Sequence, residues 1–204
     1  MEQHAIGTSP KIEARRSKII RAAQKVFAQK GFYEATISDV AREAGISDAT
    51  IYEYFTSKEE LLFSIPGETA RDALKNMKNI LDHIIDTTNK IHAIIYAFLS
   101  FYRDNPDYAS IAMLILKQNK NFLKTQVYQD IRQLARLIYE VIQCGIDQGE
   151  LRKDIDPLVV RSVILGSIEH LVIRWLMLGK PNDPVIYSKE IADIILKGVM
   201  FQKQ

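Results

Sequence analysis

Apolar residues recur every three or four positions along almost the whole chain, with polar residues between them. This spacing places the apolar side chains on one face of an α-helix. No run of strictly alternating apolar and polar residues is bounded by hairpin turns, as a strand would be. The pattern predicts an all-α protein with about nine helices.

One longer helix and three short ones are predicted first. The apolar face of the first helix consists of Ile12, Ile19, Ala23, Val26 and Phe27, and Gly31 ends it. Each short helix begins at a residue that can cap it. The predicted caps are a Thr36-Asp39 variant of the capping box, an N-cap at Ser47 and a full Ser57-x-x-Glu60 capping box.

Pro66-Gly67 is predicted to kink or break the fourth helix, because proline lacks a backbone donor and glycine is a poor helix-interior residue. We therefore divide the chain into domains at residues 1–66 and 67–204. The pair is either a hinge or a conformationally inert kink, and the sequence leaves both interpretations open.

Further apolar stripes predict helices at residues 74–84, 91–102, 108–116, 127–145, 158–178 and 184–202. The helix from Leu158 is apolar almost all round, which is typical of an element buried on several sides. Arg161, Glu169, His170 and Arg174 interrupt it, so it is not expected to span a membrane.

The composition, 47% apolar and 25% charged, is ordinary for a folded protein. The single cysteine, Cys144, lies within an apolar pattern, which suits a packing role and a reducing compartment. Residues 1–10 lack the apolar segment of a secretory signal, so a cytoplasmic protein is expected.

No catalytic, metal or cofactor site is visible. His4, His83, His92 and His170 are scattered, and the chain contains no CxxC, HExxH or glycine-rich phosphate loop. We therefore expect neither an enzyme nor a bound metal or cofactor. Net charge, at +2, gives no support to nucleic-acid binding either, although a local basic cluster lies on the first helix at Lys11, Arg15, Arg16, Lys18 and Arg21.

Residues 36–58, TISDVAREAGISDATIYEYFTSK, carry the clearest functional signal. Two short helices meet at Ala44-Gly45-Ile46, which is the arrangement of a helix-turn-helix whose second helix enters the DNA major groove. The side chains expected near base edges are Asp48, Ala49, Thr50 and Glu53, and those expected near phosphates are Tyr52, Tyr54 and Lys58.

The ordered motifs of this region resemble the TetR family of bacterial repressors. They are Ile19-Ile20-x-Ala22-Ala23, Phe27-x-x-x-Gly31, Val40-Ala41-x-x-Ala44-Gly45 and Ile51-Tyr52-x-Tyr54-Phe55-x-Ser57-Lys58-x-x-Leu61. The resemblance implies that phosphates are bound by Thr36, Ser47, Thr50, Tyr52, Tyr54 and Lys58, and that Ala49 allows close approach. Asp48, Thr50 and Glu53 are then placed to affect sequence choice.

Glu53 departs from the basic or aromatic residue often found there in the family. It either accepts a hydrogen bond from a cytosine amino group or is a solvated charge that weakens binding. A helical scaffold that has lost DNA binding is the alternative function that this departure and the charge balance leave open.

The resemblance further implies a homodimer on a palindromic operator, with a helix-turn-helix domain in front of a larger helical domain for ligand binding and dimerisation. The protein would be a repressor released by a hydrophobic small molecule. The segment from Ile51 to Leu61 also resembles fatty-acid-responsive members that bind acyl-CoA.

The expected pocket residues are Met77, Leu81, Phe98, Phe101, Tyr102, Tyr128 and Trp175, with Arg132, His170 or Arg174 for a polar group. Any one of these aromatic residues is more often part of a plain core than of a pocket, and a residue such as Arg132 is more often on a solvated helix face. The expected dimer-interface residues are Val163, Gly166, His170, Arg174, Ile191 and Ile195.

Overall fold

The structure, a computed structural model, describes residues 10–200 apart from the side chain of Glu68. Within this range the protein is all-helical, as predicted. The α-helices of the described residues are α1 (Pro10–Lys30), α2 (Ile37–Ala44), α3 (Asp48–Tyr52), α4 (Lys58–Asp82), α5 (Thr87–Asp104), α6 (Pro106–Ser110), α7 (Gln126–Asp147), α8 (Pro157–Met177) and α9 (Ser188–Val199). The chain forms two compact units, residues 1–65 and 66–204.

The first unit packs around the apolar faces of its short helices. Its fully buried side chains include Ile19, Phe27, Val40, Ile51 and Phe55. Helices as short as α2 and α3 are not stable alone, so this shared core and the caps at their ends must hold them.

α4 is continuous through Pro66, so of the predicted kink or break the break is wrong, and the kink stays a prediction. The short fourth helix and the helix at residues 74–84, which were expected to be separate, form one helix. Ile65, Pro66 and Gly67 are all buried. Burial on both sides of the proline stabilises the helical path, because tertiary packing outweighs the loss of one backbone hydrogen bond. Whether the position acts as a hinge stays a prediction.

The second unit has its core between α5, α7, α8 and α9. Fully buried members are Ile91, Ile94, Leu99, Ile138, Ile142, Ile164, Ile168 and Ala192. A Cβ at Gly145 of α7 would lie 2.6 Å from Thr87 Cγ2, so only glycine permits α7 to approach the start of α5 this closely.

Two predicted helices are less regular than expected. Residues 108–116 divide between α6, a π turn at Ile111–Ile115 and the start of a 3-10 turn at Leu116–Gln118. The last helix begins as a 3-10 turn, Pro184–Tyr187, before α9. Apolar spacing does not separate these windings, because each returns to the core within three to five residues. Residues 201 and 202, also predicted helical, lie outside the described range.

Cys144 is exposed on α7, so its expected packing role is wrong. It lies beside buried Gly145 and two residues after buried Ile142, on the outward side of the helix. None of the described helices has the length and apolar character needed to cross a bilayer.

Candidate functional site

The turn between α2 and α3 is formed by a left-handed glycine and two backbone hydrogen bonds. Gly45 adopts φ 64° and ψ 42°, a left-handed conformation that favours glycine. Its N–H donates to the Arg42 carbonyl at 3.2 Å, and the Ile46 N–H donates to the Ala41 carbonyl at 3.0 Å. The predicted end of α2 at Gly45 is confirmed.

Thr36 and Asp39 form both halves of the predicted capping box at the start of α2. The Asp39 N–H donates to Thr36 Oγ1 at 3.1 Å, and the Thr36 N–H donates to Asp39 Oδ2 at 3.1 Å. The same carboxylate pairs with Lys30 Nζ at 2.7 Å and with Arg42. Hydrogen bonds from Lys30 and from Thr36 hold the pKa of Asp39 well below its usual 3.8.

For an Asp39→Asn variant, we expect the free energy of unfolding to fall less steeply with decreasing pH than it does for the wild type. The folded-state pKa lies below 3.8, so ionised Asp39 stabilises the fold above that value. This contribution is lost as the pH falls through the lower, folded-state pKa. Circular dichroism at 222 nm, recorded from about pH 6 to about pH 2, measures the transition. Asp72→Asn, which removes an exposed carboxylate, is the control. If both variants weaken the pH dependence of unfolding equally, the assignment to Asp39 is contradicted.

α3 begins at the predicted Ser47 cap, which accepts a hydrogen bond from the Thr50 N–H at 3.2 Å. The Ser47 and Thr50 hydroxyls lie 3.0 Å apart, and Ser38 Oγ donates to the Asp48 carboxylate. Asp48, Ala49 and Glu53 are exposed around this short helix. Because the first turn of α3 is held by its cap, its side chains keep defined positions.

Among the residues predicted to bind DNA, Thr36, Ser47, Asp48, Ala49, Tyr52 and Glu53 are exposed, and Thr50, Tyr54 and Lys58 are half-buried. Tyr52 has 55% of its surface exposed. The structure thus brings these residues together within one unit, with six of them open to solvent. Their contacts with DNA stay predictions.

Lys58 makes contacts that the sequence did not indicate. Its Nζ donates to the carbonyls of Phe32 at 2.7 Å, Ala35 at 2.8 Å and Tyr33 at 3.4 Å, and lies 4.5 Å from the centre of the Phe32 ring. An ammonium has three donors, so these bonds occupy it. The geometry favours Lys58 as a positioning residue for the loop between α1 and α2.

The Ser57-x-x-Glu60 box forms only in part. The Glu60 N–H donates to Ser57 Oγ at 3.0 Å, as predicted. The Glu60 carboxylate instead accepts from the N–H and the hydroxyl of Thr56, at 2.7 and 2.6 Å. These bonds hold the pKa of Glu60 below its usual value. Thr56 offers two donors to one carboxylate oxygen, which explains the preference.

The second unit contains a cavity of about 530 Å³, lined by side chains from α4, α5, α7 and α8 and by residues 108 and 117. This volume is within the range of small-molecule sites, about 300 to 1,000 Å³. Of the predicted pocket residues, it brings together Met77, Phe98, Phe101, Tyr102, Tyr128 and Arg132.

Four residues considered for the pocket lie elsewhere. Leu81 is 5% exposed and packs in the core of the second unit. Trp175 and Arg174 line a separate groove at the end of α8, and His170 is exposed. From α8, Leu165 and Glu169 line the cavity. Leu81, Trp175, His170 and Arg174 therefore do not line this cavity.

Polar groups occupy part of the mostly apolar cavity wall. Lys117 Nζ forms an ion pair with Glu169, and Arg132 donates to Gln129 Oε1 at 3.3 Å. Burial raises the pKa of Tyr108 to about 12. Burial, and then the nearby Tyr108 and Glu169, raises the pKa of Tyr102 well above its usual 10.0. Both phenols are therefore neutral donors at physiological pH.

The expected interface residues divide between surface and core. Val163, Gly166, His170 and Arg174 are exposed on α8, and Val163 has 48% of its surface exposed. On α9, Ile191 is half-buried and Ile195 is only 8% exposed, whereas Ile194 is 64% exposed. Ile195 packs in the core of the second unit and also lines the groove between α8 and α9, so its place at an interface stays a prediction.

Similarity to known proteins covers both units. The profile of "Bacterial regulatory proteins, tetR family" matches residues 19–65, and that of "YsiA-like protein, C-terminal region" matches residues 68–198. The fatty acid metabolism regulator protein of Bacillus subtilis is 26% identical over 182 residues, covering 89% of this chain and 94% of that protein. The transcriptional repressor KstR2 of Mycobacterium tuberculosis is 23% identical over 193 residues, covering 92% and 94%.

Solved structures have the same fold. The fatty acid degradation regulator FadR from Bacillus halodurans has a TM-score of 0.85 at 24% identity, covering 94% of this chain and 97% of that chain. FadR from Bacillus subtilis in complex with stearoyl-CoA has a TM-score of 0.80 at 26% identity, covering 89% and 98%. The likeness thus extends over nearly the full length of each chain.

Proposed function

Because the chain belongs to the TetR family of bacterial regulatory proteins, and is a DNA-binding transcriptional regulator rather than an enzyme, we propose that it is a repressor released from its operator by an acyl-CoA. The observation that carries this proposal is the cavity of about 530 Å³ in the second unit. Similarity to a Bacillus subtilis regulator crystallised with stearoyl-CoA supports it.

The composition of the cavity wall suits an amphipathic ligand. Met77, Ile80 and Phe98 offer apolar surface to an acyl chain, and the cations Arg132 and Lys117 also line the cavity. Arg132 is exposed, so its guanidinium can reach a phosphate outside the cavity. We infer that the chain lies inside and that the charged nucleotide part stays near the opening.

Operator release by ligand tests this proposal. A labelled duplex from upstream of the protein's own gene is bound first, and stearoyl-CoA, stearate or CoA is then titrated while fluorescence anisotropy is recorded. We expect stearoyl-CoA alone to dissociate the complex. Binding should also weaken with salt at a logarithmic slope of about 0.9 per neutralised phosphate. A complex that forms but resists every acyl-CoA would contradict ligand release.

We further propose that two copies pair through the outer faces of α8 and α9. Val159, Val163 and Ile194 leave about half or more of their surfaces exposed, and a groove of about 430 Å³ runs between these helices. Apolar patches of this kind favour burial against a partner. A two-fold dimer would set its two α3 helices about 34 Å apart, one turn of DNA.

A Val163→Asp variant is expected to dissociate into monomers, because pairing would bury an uncompensated carboxylate. We expect the dimer dissociation constant to rise at least about 100-fold. Analytical ultracentrifugation measures it, and Ile85→Asp, at an apolar residue 93% exposed in another region, is the matched control. If Val163→Asp is dimeric at the same protein concentrations as the wild type, the interface lies elsewhere.

A further inference from the structure

One residue of the cavity wall carries a buried hydroxyl that has no partner within the part of the chain that the structure describes. Ser100 lines the cavity from α5, and its Oγ is buried without a hydrogen bond. Helical serines commonly bond to the carbonyl four residues earlier. Ser162 and Ser167 do so, at 2.7 and 2.8 Å. Ser100 Oγ differs from them, and a buried hydroxyl left in this state costs free energy.

Two phenols line the same cavity. The rings of Tyr102 and Tyr108 are stacked, with centroids 6.5 Å apart and planes inclined by 19°. Burial, and to a lesser extent the nearby Tyr108 and Glu169, raises the pKa of Tyr102, so its hydroxyl stays protonated. Three neutral hydroxyls, Ser100, Tyr102 and Tyr108, thus belong to a wall that is otherwise mainly apolar.

A saturated acyl chain cannot form hydrogen bonds with these hydroxyls, because methylenes neither donate nor accept them. A chain that bears an oxygen can. A keto oxygen accepts from a hydroxyl, and a ligand hydroxyl can also donate to Ser100 Oγ. A site built to bind a polar group also disfavours analogues that lack it, since its own polar atoms are then left unpaired.

We propose that the cavity selects an oxygenated acyl chain, and that Ser100, Tyr102 and Tyr108 bind the hydroxyl or keto oxygen on it. This inference rests on the proposed function and names the class of acyl-CoA. The inference concerns the acyl chain of the ligand, so it is separate from how the nucleotide part of the ligand is bound.

The test compares palmitoyl-CoA with hydroxypalmitoyl-CoA isomers whose hydroxyl lies near the thioester, at mid-chain or near the far end. Isothermal titration calorimetry gives each dissociation constant. We expect at least one isomer to bind about 5 to 10 times more tightly than palmitoyl-CoA, the value of one or two added hydrogen bonds. Ser100→Ala and Tyr102→Phe should remove this preference, so that the ratio of the palmitoyl-CoA to the hydroxypalmitoyl-CoA dissociation constant falls to about 1.

Matched controls are Ser167→Ala and Tyr139→Phe, because both hydroxyls are bonded and neither residue lines the cavity. These variants should keep the preference. Equal affinity for all chains, with operator release intact, overturns the inference and leaves the proposed function standing. A preference that survives in Ser100→Ala and Tyr102→Phe overturns the assignment to these residues. Failure of every thioester to bind or to release DNA overturns the proposed function itself.

Discussion

An Ala49→Glu variant is expected to bind operator DNA on the order of 100-fold more weakly than the wild type, a loss of about 2.8 kcal/mol. Ala49 is exposed in the first turn of α3. If α3 enters the major groove, a carboxylate at this position faces phosphates and base edges at short range, and repulsion opposes docking. Fluorescence anisotropy against the upstream duplex measures the change.

The control for this variant is Gln133→Glu, which adds the same charge at an exposed position of α7. Both variants should unfold at the wild-type temperature, since neither side chain is buried. Wild-type operator affinity in Ala49→Glu would mean that α3 does not rest on DNA, and would favour a helical scaffold that has lost this function.

An Ala135→Phe variant is expected to become insensitive to inducer. Ala135 lies on the α7 wall of the cavity, and a phenyl group there would occupy space that the proposed acyl chain needs. Steric overlap between the acyl chain and the new phenyl ring should raise the dissociation constant for stearoyl-CoA about 10- to 100-fold. Operator affinity without ligand should stay within about twofold, because the cavity belongs to the second unit.

Ala73→Phe, on the α4 wall, fills the cavity from another side and should act in the same way. Gln133→Phe adds the same ring to α7 at an exposed position and serves as the control. Titration calorimetry with stearoyl-CoA separates the variants. If both cavity variants bind it as the wild type does, the ligand lies in a different place.

Features set by neighbouring residues could be predicted from the sequence. The Thr36-Asp39 box, the Ser47 cap and the left-handed Gly45 all formed as expected. Each depends on a backbone donor within three residues or on the conformational freedom of one glycine. A nearby competing donor can still change the outcome, as Thr56 does for the Glu60 carboxylate.

Features set by distant contacts could not be predicted. Periodicity does not decide which of two adjacent apolar residues faces the core: Ile194 is 64% exposed, whereas Ile195 is 8% exposed. The Lys58 bonds to Phe32 and Ala35 and the ion pair of Lys117 with Glu169 join residues far apart in the chain. Such pairs follow from tertiary packing, which apolar spacing alone does not specify.

The outward position of Cys144, the single cysteine in the chain, has a practical consequence. An accessible thiol that occurs once per subunit accepts one nitroxide label without any engineered residue. In the proposed dimer, double electron–electron resonance would report the distance between the two α7 helices. Recording it with and without acyl-CoA would show directly whether ligand changes the spacing of the subunits.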